Sequence, residues 1–263
     1  MMMRVLKIML FNEFFWKYPM KGITDLVAKF FIWMMPGEVY TTEELQTLLL
    51  NLQQVKGVKG VEGKARKNGN PKLFAGFRDC PCRQALCQME DDPFLNKTDI
   101  IFHYSNDAQE HKLYGKQFQY LPVDQLVQRV KDYHDLGFIH AIYGCFSAEG
   151  FSLAICNCNP DICIPLLAMK MKNIQTLLPP HNLSHHVQNT CQTISQCGKC
   201  LEFCPFDAIH KNGNREYPIV DADKCMGCGL CKSMCPTQSF EIQRIPGAKV
   251  FYFGSKWIKP RGK

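Results

Sequence analysis

Between Cys225 and Pro236 the chain reads Cys225-x2-Cys228-x2-Cys231-x3-Cys235-Pro236. Four thiolates held this close together wrap a cube of iron and sulfide, and the first three of such a run bind one cube. The fourth, followed by proline, is turned away and serves a second cube. A run of this kind therefore calls for a counterpart, and one lies upstream as Cys191-x5-Cys197-x2-Cys200-x3-Cys204-Pro205. A zinc ribbon expects two separated C-x2-C knuckles rather than two complete C-x2-C-x3-C-P runs. The spacing predicts a pair of iron–sulfur clusters.

Residues 187–245 resemble the two-cluster bacterial-type ferredoxins. The resemblance implies that Cys191, Cys197, Cys200 and Cys235 hold one 4Fe-4S cluster, and that Cys225, Cys228, Cys231 and Cys204 hold the other. Phe206–Ile209 as a short helix, Asn212-Gly213-Asn214 as a turn and Tyr217–Val220 as a strand fit that family's internal two-fold repeat. Gly227 and Gly229 flank Cys228, where backbone must come close to a cluster. One departure stands out. Residues 192–196 separate Cys191 from Cys197 where the family has two residues, and Ile194, at the family's spacing, cannot ligate. Either Gln192–Gln196 bulges outward and Cys191 still reaches iron, or that corner is open, giving a three-iron cluster or an iron accessible to substrate.

The chain has 263 residues, 46% of them apolar, and a slightly negative mean hydropathy, the profile of an ordinary globular protein with room for two domains. Its 15 cysteines would suggest a disulfide scaffold in a short secreted chain. No secretory signal is visible, however, since Ile8–Phe11 is too short an apolar core and no A-x-A site follows. Cysteines clustered at metal-ligand spacings point to reduced thiols, a cytoplasmic protein, and an anaerobe or a low-potential pathway. The formal charge of +7 invites a nucleic-acid reading, but it counts every cysteine as a neutral thiol. An oxidised cube with four thiolates carries about −2, so two clusters reduce the total to about +3 and a third to about +1. No helix-turn-helix or basic recognition helix is present either, so no nucleic-acid partner is expected.

Upstream, Ile23, Leu26, Val27, Phe30, Phe31 and Met34 form one helical stripe that Pro36-Gly37 ends. It is too short to span a bilayer, and core packing is favoured over contact with a membrane surface. Thr41-x-x-Glu44 reads as a capping box opening a second helix, and Lys56–Lys72 as a basic, glycine-containing loop. Val123–Leu136 predicts an amphipathic helix with Leu126, Val127, Val130, Tyr133 and Leu136 on one face, capped by Gly137 and followed by a strand over 138–143. His140 in that strand reads as a packed histidine. Leu177–Asn189, with His181, His185 and His186, reads as a solvated linker. The basic, aromatic tail from Arg244 suggests a docking surface for an acidic redox partner, its aromatics packing back on the ferredoxin core.

A second cysteine constellation repeats its own spacing, as Cys80-x-Cys82-x4-Cys87 and Cys156-x-Cys158-x4-Cys163. In extended backbone, residues i and i+2 point to one side, so each C-x-C pair can present two thiols to one centre. Two such pairs make a four-thiolate site, with Cys87, Cys163 and Cys145 in reserve; a third iron–sulfur cluster or zinc would fit it. Arg78-Asp79-Cys80-Pro81-Cys82-Arg83, the helix–Gly137–strand unit and Ile155–Asn159, in that order, resemble a group of anaerobe 4Fe-4S proteins. These carry a C-x-C-R segment, an N-C-C-type cluster and a C-terminal two-cluster ferredoxin domain; no established reaction comes with the resemblance.

The expected fold is α+β, a mixed cysteine-rich domain followed by a ferredoxin-like two-cluster module. The expected divisions are a helical region over 1–75, the cysteine-rich domain over 76–180, the ferredoxin domain over 187–245 and the tail over 246–263. The expected role is passage of single electrons through two 4Fe-4S clusters to or from a redox partner or the N-terminal site. The rival is an oxidoreductase or a cluster-delivery factor working at the N-terminal cysteines. With no Ser-His-Asp set and no flavin, nicotinamide or nucleotide fingerprint, such an activity would rest on metal and thiol.

Overall fold

A computed structural model of the chain describes residues 36–53, 72–86, 89–105, 119–147, 150–172, 175–211, 213–255 and 258–259. The apolar stripe at 23–34, most of the segment 56–72, Cys87 and the last basic residues of the tail fall outside them.

Strands β1 (Gly37–Tyr40), β2 (Lys72–Arg78), β3 (Asp99–Ser105), β4 (Gln119–Tyr120), β5 (Ile139–Ser147) and β6 (Gly150–Cys158) form an antiparallel sheet in the order β1-β5-β6-β3-β2-β4. The described helices are α1 (Thr42–Gln53), α2 (Pro81–Leu86), α3 (Pro93–Asn96), α4 (Val123–Asp135), α5 (Ile164–Lys172), α6 (Cys200–Phe203) and α7 (Leu230–Met234). Strand alternation sorts the side chains between two faces. One carries Tyr40, Phe77, Ile100, Ile142 and Ile155 into a core with α1 and α4. The other carries Val39, Ile139, Ala141, Tyr143, Cys156 and Cys158 into a second core, which the C-terminal module covers.

Helix α1 starts where the capping box places it. The Glu44 N–H donates to Thr41 Oγ1 at 3.2 Å and the Thr41 N–H to Glu44 Oε2 at 3.0 Å, so two otherwise orphaned donors are satisfied. Its Leu45, Leu48, Leu49 and Leu52 are buried, each side chain contributing about 1.5–3 kcal/mol by leaving water. On α4, Leu126, Val130 and Tyr133 are buried as the periodicity predicts. Leu136 is not: it is 54% exposed, because the helix ends at Asp135 and the chain turns through Gly137 at φ +85°. His140 is buried and packed, with Nδ1 2.8 Å from Asn157 Oδ1 and Nε2 3.2 Å from Thr42 Oγ1; burial pushes it down to about 3, so it stays neutral.

In the C-terminal module, β7 (Asn182–His186) pairs antiparallel with β10 (Phe240–Arg244), and β8 (Ile209–Lys211) with β9 (Pro218–Val220). The helix expected at 206–209 lies earlier, as α6. It stops at Cys204 because Pro205 offers no N–H to continue it, and Asp207 at φ +50° then turns the chain into β8. The stretch read as a linker is a structural element. His181 is 1% exposed and leads into the strand Asn182–His186, whose Asn182 and Ser184 are buried, because the carboxylates of Glu38 and Glu44 give His181 a partner on each ring nitrogen, at 3.3 and 3.1 Å.

The tail packs on the N-terminal sheet domain rather than as a strand on the ferredoxin core. Val250 and Ile258 are buried in the helix-side core. The N–H groups of Phe251 and Tyr252 donate to Glu38, and Tyr252 Oη accepts from the Gly144 N–H and donates to the Pro36 carbonyl. Residues 37–53 and 250–258 thus share one core with residues 77–155.

Candidate metal centres

The two cysteine runs fold into two hollows, and the division of side chains between them is crossed. One hollow, with about 340 Å³ of empty space partly open to solvent, is lined by Cys191, Cys197, Cys200 and Cys235. The other, with about 330 Å³, is lined by Cys204, Cys225, Cys228 and Cys231. In each, the cysteine that precedes a proline comes from the opposite run. Cys191 shares the first hollow despite its unusual spacing because the extra residues form a pinned bulge. Thr193 adopts φ +72°, the Ile194 N–H donates to the Glu216 carbonyl at 2.7 Å, and the Cys197 N–H donates to the Thr193 carbonyl at 3.2 Å.

The two hollows differ in exposure. Cys225, Cys228 and Cys231 are 7–8% exposed, and Cys228 packs in the core that the module shares with the N-terminal sheet. The cysteines of the first hollow are all half-exposed, and Lys199 stands exposed beside them. Close packing around the second hollow is enforced at Gly227. A Cβ there would lie 2.2 Å from the Asn182 carbonyl oxygen, and its φ of +64° also favours glycine. The close approach expected toward a cluster is therefore also an approach to β7.

Donors surround the sulfurs. The Ser184 N–H points at Cys225 Sγ at 3.5 Å, and Ser184 Oγ lies 3.0 Å from Cys231 Sγ. The Ala208 N–H donates to Cys204 Sγ at 3.3 Å, and the Ser239 N–H to Cys235 Sγ at 3.3 Å. Burial pushes the Cys228 thiol well up and the Cys231 thiol up to about 11. Burial acts the same way on Cys235, but the Thr237 hydroxyl and the Ser239 N–H outweigh it and hold that thiol below its ordinary value. Such donors stabilise a thiolate and draw electron density from sulfur bound to iron. Ser184, Thr237 and Ser239 escaped the sequence reading. Ser184 sat in the presumed linker, though Thr237 and Ser239, just past Cys235-Pro236, were within reach of it.

Hollows lined by four cysteines each, with N–H and hydroxyl donors on the sulfurs, suit cubes of iron and sulfide. The fold and site together define a two-cluster ferredoxin domain. Residues 187–242 match the family described as 4Fe-4S dicluster domain. Among similar proteins, an uncharacterized ferredoxin of Methanocaldococcus jannaschii is 50% identical over 45 residues, 17% of this chain and 28% of that one. A ferredoxin of Alicyclobacillus acidocaldarius is 40% identical over 48 residues, 18% of this chain and 59% of that one. The pyruvate synthase subunit PorD of Methanothermobacter marburgensis is 35% identical over 48 residues, 18% of this chain and 53% of that one. The chain spans less than two thirds of the length of each of these relatives. The C-terminal domain is an iron–sulfur electron-transfer module, and 4Fe-4S clusters are its cofactors.

The N-terminal cysteines also gather, in a pattern the repeat only partly foretold. Cys80 and Cys82, at the start of α2, meet Cys156 and Cys158 at the end of β6, and Cys163 sits between the pairs. Cys80 hydrogen-bonds Cys82, Cys82 hydrogen-bonds Cys163, Cys163 hydrogen-bonds Cys158, and Cys158 hydrogen-bonds Cys156. The thiols of Cys158 and Cys82 pull the central Cys163 down to about 6. Held in reserve by the sequence reading, Cys163 is central because the Asn159–Asp161 turn folds it back beneath Cys158. The Cys163 and Ile162 N–H groups donate to the Asn159 carbonyl, and the Asp161 N–H to Asn159 Oδ1. Among the described residues, no three His, Cys, Asp or Glu side chains close around a single-ion position.

Proposed function

We propose that this protein carries single low-potential electrons through two 4Fe-4S clusters between a redox partner and its N-terminal cysteine centre. The observation that carries the reading is the crossed division of eight cysteines between two hollows, Cys191, Cys197, Cys200 and Cys235 in one and Cys204, Cys225, Cys228 and Cys231 in the other. Bound there, 4Fe-4S clusters supply one-electron redox chemistry at low potential. The protein's own residues set the terms. Ser184, Thr237, Ser239 and the backbone N–H of Ala208 aim donors at the sulfurs, while Met226, Leu230 and Phe206 give the second hollow an apolar lining.

The first hollow is the port for a partner, since its four cysteines are all half-exposed whereas Cys225, Cys228 and Cys231 of the second are buried. Exposed Lys199 beside it suits an acidic partner surface. The tail suits that role less well. Arg244 is taken up by Glu44 at 3.3 Å, and the tail aromatics Tyr252 and Phe253 pack on the N-terminal core. Among the described residues no helix is long and apolar enough to cross a membrane.

The test is anaerobic stopped-flow reduction by a one-electron donor, following cluster bleaching in the full chain and in Lys199→Glu. The reversed charge should slow reduction by an acidic donor protein, and the difference should shrink as salt is raised. A rate for both forms that is equal and independent of salt would remove the docking role from this face.

A further inference from the structure

Five thiols in contact could be buried packing, since free cysteine is a small apolar residue that fills cores well. Two features of this site are foreign to packing. Tyr143 Oη is buried and has no hydrogen-bond partner among the described residues, yet Tyr143 packs in the same core as Cys156, Cys158 and Cys163, and these thiols and that of Cys82 are near enough to act on it electrostatically. A buried hydroxyl left unpaired is destabilising, a loss that pure packing would not tolerate when Phe would serve. The second feature is the orientation of α5. Its first turn aims the Ile164 N–H at Cys82 Sγ, 3.4 Å away, and the Leu166 N–H at Cys163. A helix N-terminus spends its orphan donors on negative charge.

We infer that Cys82, Cys158 and Cys163, with Cys80 or Cys156 as the fourth ligand, hold a third iron–sulfur cluster in electronic contact with the second ferredoxin cluster. Cysteine sulfurs as donors suit iron–sulfur chemistry, and the same chain already builds two such sites. Placement supports the contact. Cys158, Cys163 and Leu166 pack in the same apolar core as Met226, Cys228 and Leu230 of the second hollow, and no ligand of the first hollow belongs to that core. In the transfer, the second cluster gives up the electron it received from the external one-electron donor, and the third cluster gains it. No bond is made and no proton moves. Tyr143 Oη donates its otherwise idle hydrogen bond to the cluster or a ligand sulfur and favours the reduced state.

The inference rests on the ferredoxin reading, and metal analysis of the anaerobically reconstituted full chain separates the two. About twelve irons are expected in the wild type, and about eight in Cys82→Ser, in Cys163→Ser and in the double variant, because one cluster is lost once. Eight irons in the wild type with none lost in these variants overturns the third cluster and leaves the ferredoxin reading standing. One zinc in place of four irons overturns it as well, as does additive loss in the double variant. Fewer than eight irons with Cys163→Ser indistinguishable from wild type would mean the ferredoxin reading had failed too.

Tyr143→Phe keeps the packing and should retain about twelve irons while lowering the potential of the third cluster. An unchanged potential would remove Tyr143 from the site. For the contact, electron paramagnetic resonance of the reduced protein should show the third cluster's signal split by a neighbouring spin. The splitting should vanish in Cys231→Ser and persist in Cys197→Ser; the reverse pattern would place the third cluster beside the first.

Discussion

His181 joins the ferredoxin module to the N-terminal sheet, and replacing it should loosen that joint in a pH-dependent way. Its Nδ1 lies 3.3 Å from Glu38 Oε1 on β1 and its Nε2 3.1 Å from Glu44 Oε2 on α1, with all three groups largely out of water. Burial alone would push the imidazole down, but the hydrogen bonds and charges of the two glutamates outweigh it and hold it above its ordinary value. The same bonds outweigh burial at Glu38 and Glu44 and hold both carboxyls low. His181→Ala removes two charge-assisted bonds, each contributing about 1.5–3 kcal/mol. The carboxylates keep other donors, Phe251 N–H, Tyr252 N–H and Tyr40 Oη for Glu38, and Thr41 N–H, Asn182 Nδ2 and Arg244 for Glu44. The loss should therefore sit near the lower end of the range for breaking a buried pair, about 3 kcal/mol.

The sign follows from linkage. A group whose folded pKa is raised stabilises fully below its unfolded value, near pH 6.5, and that contribution is lost as pH rises through the folded value. The glutamates contribute above about pH 4.5 and lose their contribution as pH falls through their lowered folded values. The joint is thus strongest between these limits. At about pH 6 the variant should unfold up to about a hundredfold faster than wild type in urea, since 1.4 kcal/mol is tenfold, and the ratio should contract toward pH 9. Loss of visible cluster absorption in anaerobic stopped-flow reports the rate. A ratio of one at pH 6, or one that does not change with pH, would refute the argument.

Three other outcomes are expected. Gly227→Ala should be far more damaging than a surface substitution, because its Cβ would meet the Asn182 carbonyl; loss of cluster absorption on purification checks it, and wild-type absorption would contradict it. Thr41→Ala should cost about 1 kcal/mol by opening the capping box, read as a shift in the denaturation midpoint, with no change in iron content. Truncation after Pro246 should destabilise the N-terminal domain, because it removes Val250, Ile258 and the donors to Glu38; faster proteolysis of the sheet domain with a ferredoxin spectrum still present is the sign to look for.

What could be read from the sequence divides by how local the signal is. The ferredoxin runs, the capping box at Thr41 and the amphipathic α4 are short-range patterns, and each folds close to where its spacing puts it. The partnership of His181 with Glu38 and Glu44 spans 143 and 137 positions, so its strand looked like a solvated linker. The tail aromatics Tyr252 and Phe253 likewise find their partners far off in sequence, in the core of α1, α4 and the sheet. In the cysteine constellation, repetition pointed to Cys80, Cys82, Cys156 and Cys158, but only the turn at Asn159 reveals that Cys163 lies at the centre.

The most direct test of the central claim is a potentiometric titration of the anaerobic full chain, followed by electron paramagnetic resonance. Two 4Fe-4S clusters in adjoining hollows should each take up one electron at low potential, and their signals should interact once both are reduced. In Cys204→Ser, the cluster lost should be the one that also depends on Cys225, Cys228 and Cys231, although Cys204 follows the first run in sequence. A single non-interacting low-potential signal in the wild type, or loss in Cys204→Ser of the cluster that depends on Cys197 and Cys200, would contradict the crossed two-cluster account.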